Sequence, residues 1–127
     1  MTPHPDDDAL LVACLCAGWC TTCDAYRPVL AQVAAQHPDA RFAWIDIEDD
    51  ADALGDDALD IETFPTVMVL RAGRVLFHGT LLPHAGTLQR LLDSLRTGAA
   101  TAAGSPVPPA MAAAVWRLGP QRPLSGA

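Results

Sequence analysis

The sequence contains no lysine, so all eight of its basic side chains are arginines, and these are dispersed along the chain. A dispersed set of arginines is not the basic patch that nucleic-acid binding needs, and no nucleic-acid partner is expected. No apolar run approaches the roughly 20 residues of a membrane-spanning helix, so no membrane association is expected either. The chain opens on MTPHPDDD, which is acidic and carries two prolines but no positive segment or cleavage pattern. That opening argues against a secretory signal and sets the cytoplasm as the expected compartment. The histidines, at 4, 37, 78 and 84, have no metal-ligand spacing, and there is no internal repeat.

At 127 residues the chain is long enough for one domain with a substantial core. Its formal charge of −7 is unevenly placed. Fourteen of the fifteen acids fall in residues 1–62, and nine of them lie between Asp46 and Glu62 with no basic residue among them. Such a run usually forms a solvated loop and helix face. The alternative is a negative surface that selects partner proteins by charge.

The four cysteines stand close together, at positions 14, 16, 20 and 23. Leu10 to Cys16 (LLVACLC) is long enough for a buried strand and too short for an ordinary helix. Alternation sets Leu10, Val12, Cys14 and Cys16 on one face of that strand, with Leu11, Ala13 and Leu15 on the other. Beyond Cys23, the residues Tyr26, Val29, Leu30, Val33 and Ala34 recur at helix spacing, to about Gln36. Cys20 and Cys23 therefore lie where a strand hands over to a helix. Unpaired N–H groups at a helix start favour thiolate over thiol, and thiolate is the form that attacks disulfides. In a cytoplasmic protein a Cys-x-x-Cys pair is more often catalytic or metal-binding than a structural staple. The pair reads as a redox site. A buried structural pair, or half of a zinc site, is the bland alternative.

Further along, residues 41–47 read as a second strand and residues 51–59 as a short helix. Thr66 to Leu70 and Val75 to Phe77 read as a hairpin turning at Ala72-Gly73. A last helix, about residues 84–96, would bury Leu88, Leu91, Leu92 and Leu95. From Thr97 the composition shifts to Ala, Gly, Pro and Ser, the signature of a linker or disordered tail. One short helix over 109–118 would carry Met111, Val115 and Trp116 on one side. The expected division is thus a flexible arm over 1–9, a domain over 10–96 and a tail over 97–127.

Trp19-Cys20-Thr21-Thr22-Cys23 after a buried strand resembles the thioredoxin family, and other segments agree in order. Pro28 falls where thioredoxins kink the active-site helix, and Ile61-Glu62-Thr63-Phe64-Pro65-Thr66 is similar to the family's cis-proline segment. Gly79 matches a glycine lining the substrate groove. The resemblance covers roughly residues 10–96. It implies an α/β, thioredoxin-like fold with about four strands in a central mixed sheet flanked by helices, and with the family's leading β-α pair truncated. The strand at 41–47 would then be a sheet edge, which needs cover from a homodimer partner or a docked tail.

The resemblance also implies thiol–disulfide exchange, reducing protein disulfides with electrons from a thioredoxin reductase or glutathione and with no bound cofactor or metal. Cys20 would attack and Cys23 resolve, while Trp19, Phe64, Pro65, Thr66 and Gly79 would bind substrate. Backbone beside Pro65 would pair with an extended substrate segment. Thr21 and Thr22 replace the usual Gly-Pro, and Asp24 stands where many members have lysine. Both changes would tune the dithiol. The buried carboxylate usually found six residues before the first cysteine is replaced by Cys14, and its lysine partner aligns with Trp44. Cys14 and Cys16 are most simply small core residues, with a third redox thiol or a four-thiolate metal site as alternatives. A second function class therefore stays open: a thioredoxin-fold binding or chaperone module whose dithiol is slow or vestigial.

Overall fold

The computed structural model describes residues 10–17, 21–37, 40–54, 66–71, 74–80, 84–96, 109–121 and 124. Its centre is β1 (Leu10–Cys16), whose seven residues are all buried. Burial on both faces is why this strand is a continuous apolar run rather than an alternating one. The helix α1 (Thr21–Gln36) follows, and β2 (Arg41–Asp46) then lies parallel to β1, with Val12 opposite Phe42 and Cys14 opposite Trp44. A parallel pair requires a crossover, so α1 runs back along β1 with its start beside the strand's end. Pro28 lies inside α1, where it removes one backbone donor.

A short helix, α2 (Ala51–Leu54), comes next, and residues 55–59 of the expected helix lie outside the described residues. The turn before it is organised by Asp46, whose Oδ1 accepts hydrogen bonds from the backbone N–H of Glu48 at 2.8 Å and Asp49 at 3.2 Å. The antiparallel strands β3 (Thr66–Arg71) and β4 (Arg74–Thr80) complete the sheet in the order β2-β1-β3-β4. The Ala72-Gly73 turn lies outside the described residues. Val69 pairs with Phe77 and Leu70 with Val75, so Leu76 is an extra residue on β4 and the ladder is irregular there.

The two faces of β1 feed two separate cores. Leu10, Val12, Cys14 and Cys16 pack with Cys23, Tyr26, Leu30 and Val33 of α1 and with Leu88, Leu92 and Leu95 of α3 (Ala85–Arg96). Leu11, Ala13 and Leu15 face the opposite way, against Ile45, Leu54, Met68 and Leu70. That second core is closed by α4 (Pro109–Leu118), which buries Met111, Ala114, Val115 and Leu118. Trp116 is half-buried and packs on the rim of the same cluster. The Ala-rich helix thus supplies a layer of the fold.

The chain beyond α4 then turns towards β2, the edge strand. A 3-10 turn over Gly119–Gln121 lies beside β2, and the Leu124 N–H donates to the Phe42 carbonyl at 2.9 Å. One edge carbonyl is thereby paired within the chain, so a docked tail covers part of the edge where cover was expected.

Candidate active site

The sheet register sets four residues in one row across all four strands: Trp44, Cys14, Val67 and Gly79. Cys14 and Trp44, which stand in place of an acid and a lysine in the resemblance, are thus direct neighbours. Above this row lies the start of α1. Cys23 sits in its first turn, 1 % exposed, and joins the same core cluster as Cys14 and Cys16. Thr21 and Thr22 open the helix, and Asp24 points outward, exposed. Thr66 begins β3 and is buried, opposite Leu15 on one side and Thr80 on the other. Gly79 lies against the Phe77 ring, where a Cβ would stand 3.2 Å from Cζ, so a larger residue there would press on that ring. Trp19, Cys20, Phe64 and Pro65 lie outside the described residues.

Cys23 packs among apolar side chains of β1, α1 and α3. Among the described residues Asp50 is the buried carboxylate, and it belongs to a cleft with Arg27, Trp44, Asp46 and Asp49 at the β2 side. Cys14, Cys16 and Cys23 are not disulfide-bonded, and the sulfurs of Cys14 and Cys16 approach to 3.3 Å. Residues two apart on a strand project from the same face, which is why these two thiols meet. Among the described residues no group of three or more His, Cys, Asp or Glu is arranged to hold a metal ion.

Two features of this site were missed in the sequence. The Arg27 guanidinium stacks over the Trp44 ring, 4.2 Å from its centroid, in a cation–π contact. Its signal was faint: Arg27 is one of two arginines in an otherwise acidic half of the chain. The second is the Tyr26 hydroxyl, which is buried with no hydrogen-bond partner among the described residues. Burial, and then the neighbouring thiols of Cys14 and Cys16, hold the Tyr26 phenol well above its ordinary value.

That phenol should control stability in alkali. The folded state holds its proton more tightly than the unfolded chain does. Its contribution is therefore complete below pH 10.0, the ordinary phenol value, and erodes as the pH rises above it. With one tyrosine and no lysine in the sequence, no other phenol or amine side chain titrates there. Urea unfolding between pH 8 and 11.5 should show a limb above ~10 that is steeper by about 1.4 kcal/mol per pH unit in the wild type than in Tyr26→Phe. An equally steep limb in the variant would refute the assignment.

Comparison with known proteins places these elements. The family model described as Thioredoxin matches residues 4–93. An H-type thioredoxin from Ricinus communis is 30 % identical over 71 residues, which are 56 % of this chain and 58 % of the relative, so the match spans little more than half of that protein. Among solved structures, thioredoxin from Trypanosoma brucei brucei superposes with a TM-score of 0.61 at 24 % identity, over 72 % of this chain and 79 % of its own. Human ERp44 superposes with a TM-score of 0.58 at 15 % identity, over 73 % of this chain and 30 % of its own. At these identities the structures establish the fold. With four strands in the order β2-β1-β3-β4, helices on both faces and a family match covering most of its length, the chain belongs to the thioredoxin family.

Proposed function

We propose that this protein is a thiol–disulfide oxidoreductase that reduces protein disulfides through Cys20 and Cys23. The observation that carries the reading is the position of Cys23, buried in the first turn of a helix that follows the central strand, in a chain of the thioredoxin family. Cys20 attacks a substrate disulfide as thiolate and forms a mixed disulfide with one substrate sulfur. Cys23 then attacks Cys20 Sγ, releasing the reduced substrate and leaving a Cys20–Cys23 disulfide. Trp19, Phe64, Pro65, Thr66 and Gly79 hold the substrate segment, and Thr21, Thr22, Asp24, Cys14 and Trp44 tune the dithiol. Thioredoxin reductase or glutathione returns the electrons, in the cytoplasm, with no bound cofactor. Cys23 resolves from within a cluster of apolar side chains, so resolution is the slow step.

The test is reduction of insulin disulfides with dithiothreitol as donor, alongside a glutathione-buffer titration of Cys20 and Cys23. A reversible two-electron transition together with insulin reduction above the dithiothreitol background is the expected result. Stable capture of a partner with no reversible transition would replace this reading with a binding module whose dithiol is vestigial.

A further inference from the structure

We propose that the β2 edge at Trp44 is a docking site for an extended, basic segment of a partner protein. The segment adds a strand beside Trp44 and turns a basic side chain towards Asp46, Asp49 and Asp50. The site lies apart from the dithiol, so it stands or falls independently of the roles given to Cys20 and Cys23.

The edge is half closed. β2 is the outermost strand on its side of the sheet, so its backbone groups alternate between β1 and open space. Two hydrogen bonds set the phase of that alternation. The Ile47 N–H donates inward to the Cys16 carbonyl, and the Phe42 carbonyl accepts outward from the Leu124 N–H. Phe42, Trp44 and Asp46 therefore form the outward set. The chain's own tail occupies the Phe42 end: α4 packs into the core on one face of the sheet and Leu124 against the core on the other, so the chain between them passes around the edge. Among the described residues nothing pairs with the outward N–H and C=O of Trp44. Unpaired groups of this kind are a template for a further strand, and the Leu124 bond shows that this edge accepts backbone from outside the sheet.

Charge selects the occupant. A cleft of about 440 Å³ opens at the Asp46 end of the same strand, lined by Arg27, Trp44, Asp46, Asp49 and Asp50. Its three carboxylates outnumber its one guanidinium, which is already stacked on the Trp44 ring. Neighbouring residues on paired strands project from the same face. The partner residue set beside Asp46 thus points to the side that Asp46 does, where a basic side chain is attracted and an acidic one repelled. A second copy of this chain is a poor occupant, because it carries a formal charge of −7 and would bring two such clefts to one edge.

The experiment uses the full-length protein, labelled with nitrogen-15, and three synthetic ten-residue probes. One alternates valine with arginine, one alternates valine with glutamate, and the third is the arginine peptide with every backbone nitrogen methylated. In the free protein the Trp44 amide should exchange rapidly with solvent. The arginine peptide should move the Trp44 and Asp46 amide signals and slow Trp44 exchange by about tenfold or more at saturation. The glutamate and methylated peptides should do neither. Asp49→Lys, at an exposed position, should weaken binding of the arginine peptide roughly fivefold. Equal binding of the methylated peptide would overturn strand addition and leave a general attraction of charge. Equal binding of the glutamate peptide would overturn the selection of a basic partner, and no binding by any probe would overturn the site itself. A Trp44 amide already protected in the free protein, with a dimer in sedimentation, would give the edge to a second copy and overturn the proposal.

Discussion

Replacing Cys20 with serine should abolish disulfide reduction, and replacing Cys23 with serine should leave a chain that captures its substrate and cannot let go. A hydroxyl cannot form the mixed disulfide, so Cys20→Ser removes the chemistry itself, and the loss in turnover should be on the order of a thousandfold or more. Cys23→Ser keeps the attacking sulfur and removes the resolving one, so the mixed disulfide persists until an external thiol cleaves it. The two variants therefore separate in kind. In an insulin assay both are inactive, but only Cys23→Ser should yield a covalent adduct on a non-reducing gel, and dithiothreitol should dissolve it. Serine at position 23 fits the space, since Cys23 is a small side chain within a packed cluster. An adduct in Cys20→Ser and none in Cys23→Ser would reverse the roles given to the two sulfurs. Activity retained by both would move the chemistry elsewhere.

The parts of this site that were legible in the sequence are those fixed by counting along one element. The division of β1 into two faces followed from alternation, and the structure sends Leu10, Val12, Cys14 and Cys16 into one core and Leu11, Ala13 and Leu15 into the other. The helix-spaced residues ran to about Gln36, and α1 ends there. The pairing of Cys14 with Trp44 was implied by the family resemblance rather than by counting, and the parallel register makes them Cα partners. What was not legible depends on how one element lies over another. The Arg27–Trp44 stack needs both the helix's rotation and the strand's height, which no local pattern encodes. The orphaned Tyr26 hydroxyl is similar: helix spacing assigned the ring to the core, but whether its oxygen reaches a partner depends on packing depth. In α4 the buried alanines hide the apolar stripe, since alanine suits an exposed helix as well as a closely packed one.

Val115→Asp should destabilise the protein more than any other single change on α4. Val115 is fully buried in the cluster of Leu11, Ala13, Leu15, Met68 and Leu70, so the substitution drives a carboxyl group into the second core. Losing the valine's burial costs roughly 1.5–3 kcal/mol. An unpaired buried carboxyl adds to that, and a total on the order of 4 kcal/mol or more is expected. A domain of this size has about 5–15 kcal/mol in all, so the urea midpoint should fall by a large fraction of its wild-type value. Ala113 lies on the exposed side of the same helix, and Ala113→Asp should change stability by no more than about 0.5 kcal/mol. Gly119→Ala probes the same docking from outside the helix. A Cβ at Gly119 would stand 2.6 Å from Leu11 Cδ2, and Leu11 is itself buried in that core, so about 1–3 kcal/mol should be lost as the turn or the leucine shifts. The ordering of the three variants is the decisive readout. If Val115→Asp and Ala113→Asp were equally mild, α4 would not be a layer of the fold. If Val115→Asp were severe and Gly119→Ala silent, the helix would be docked without the turn that carries the chain on to the β2 edge.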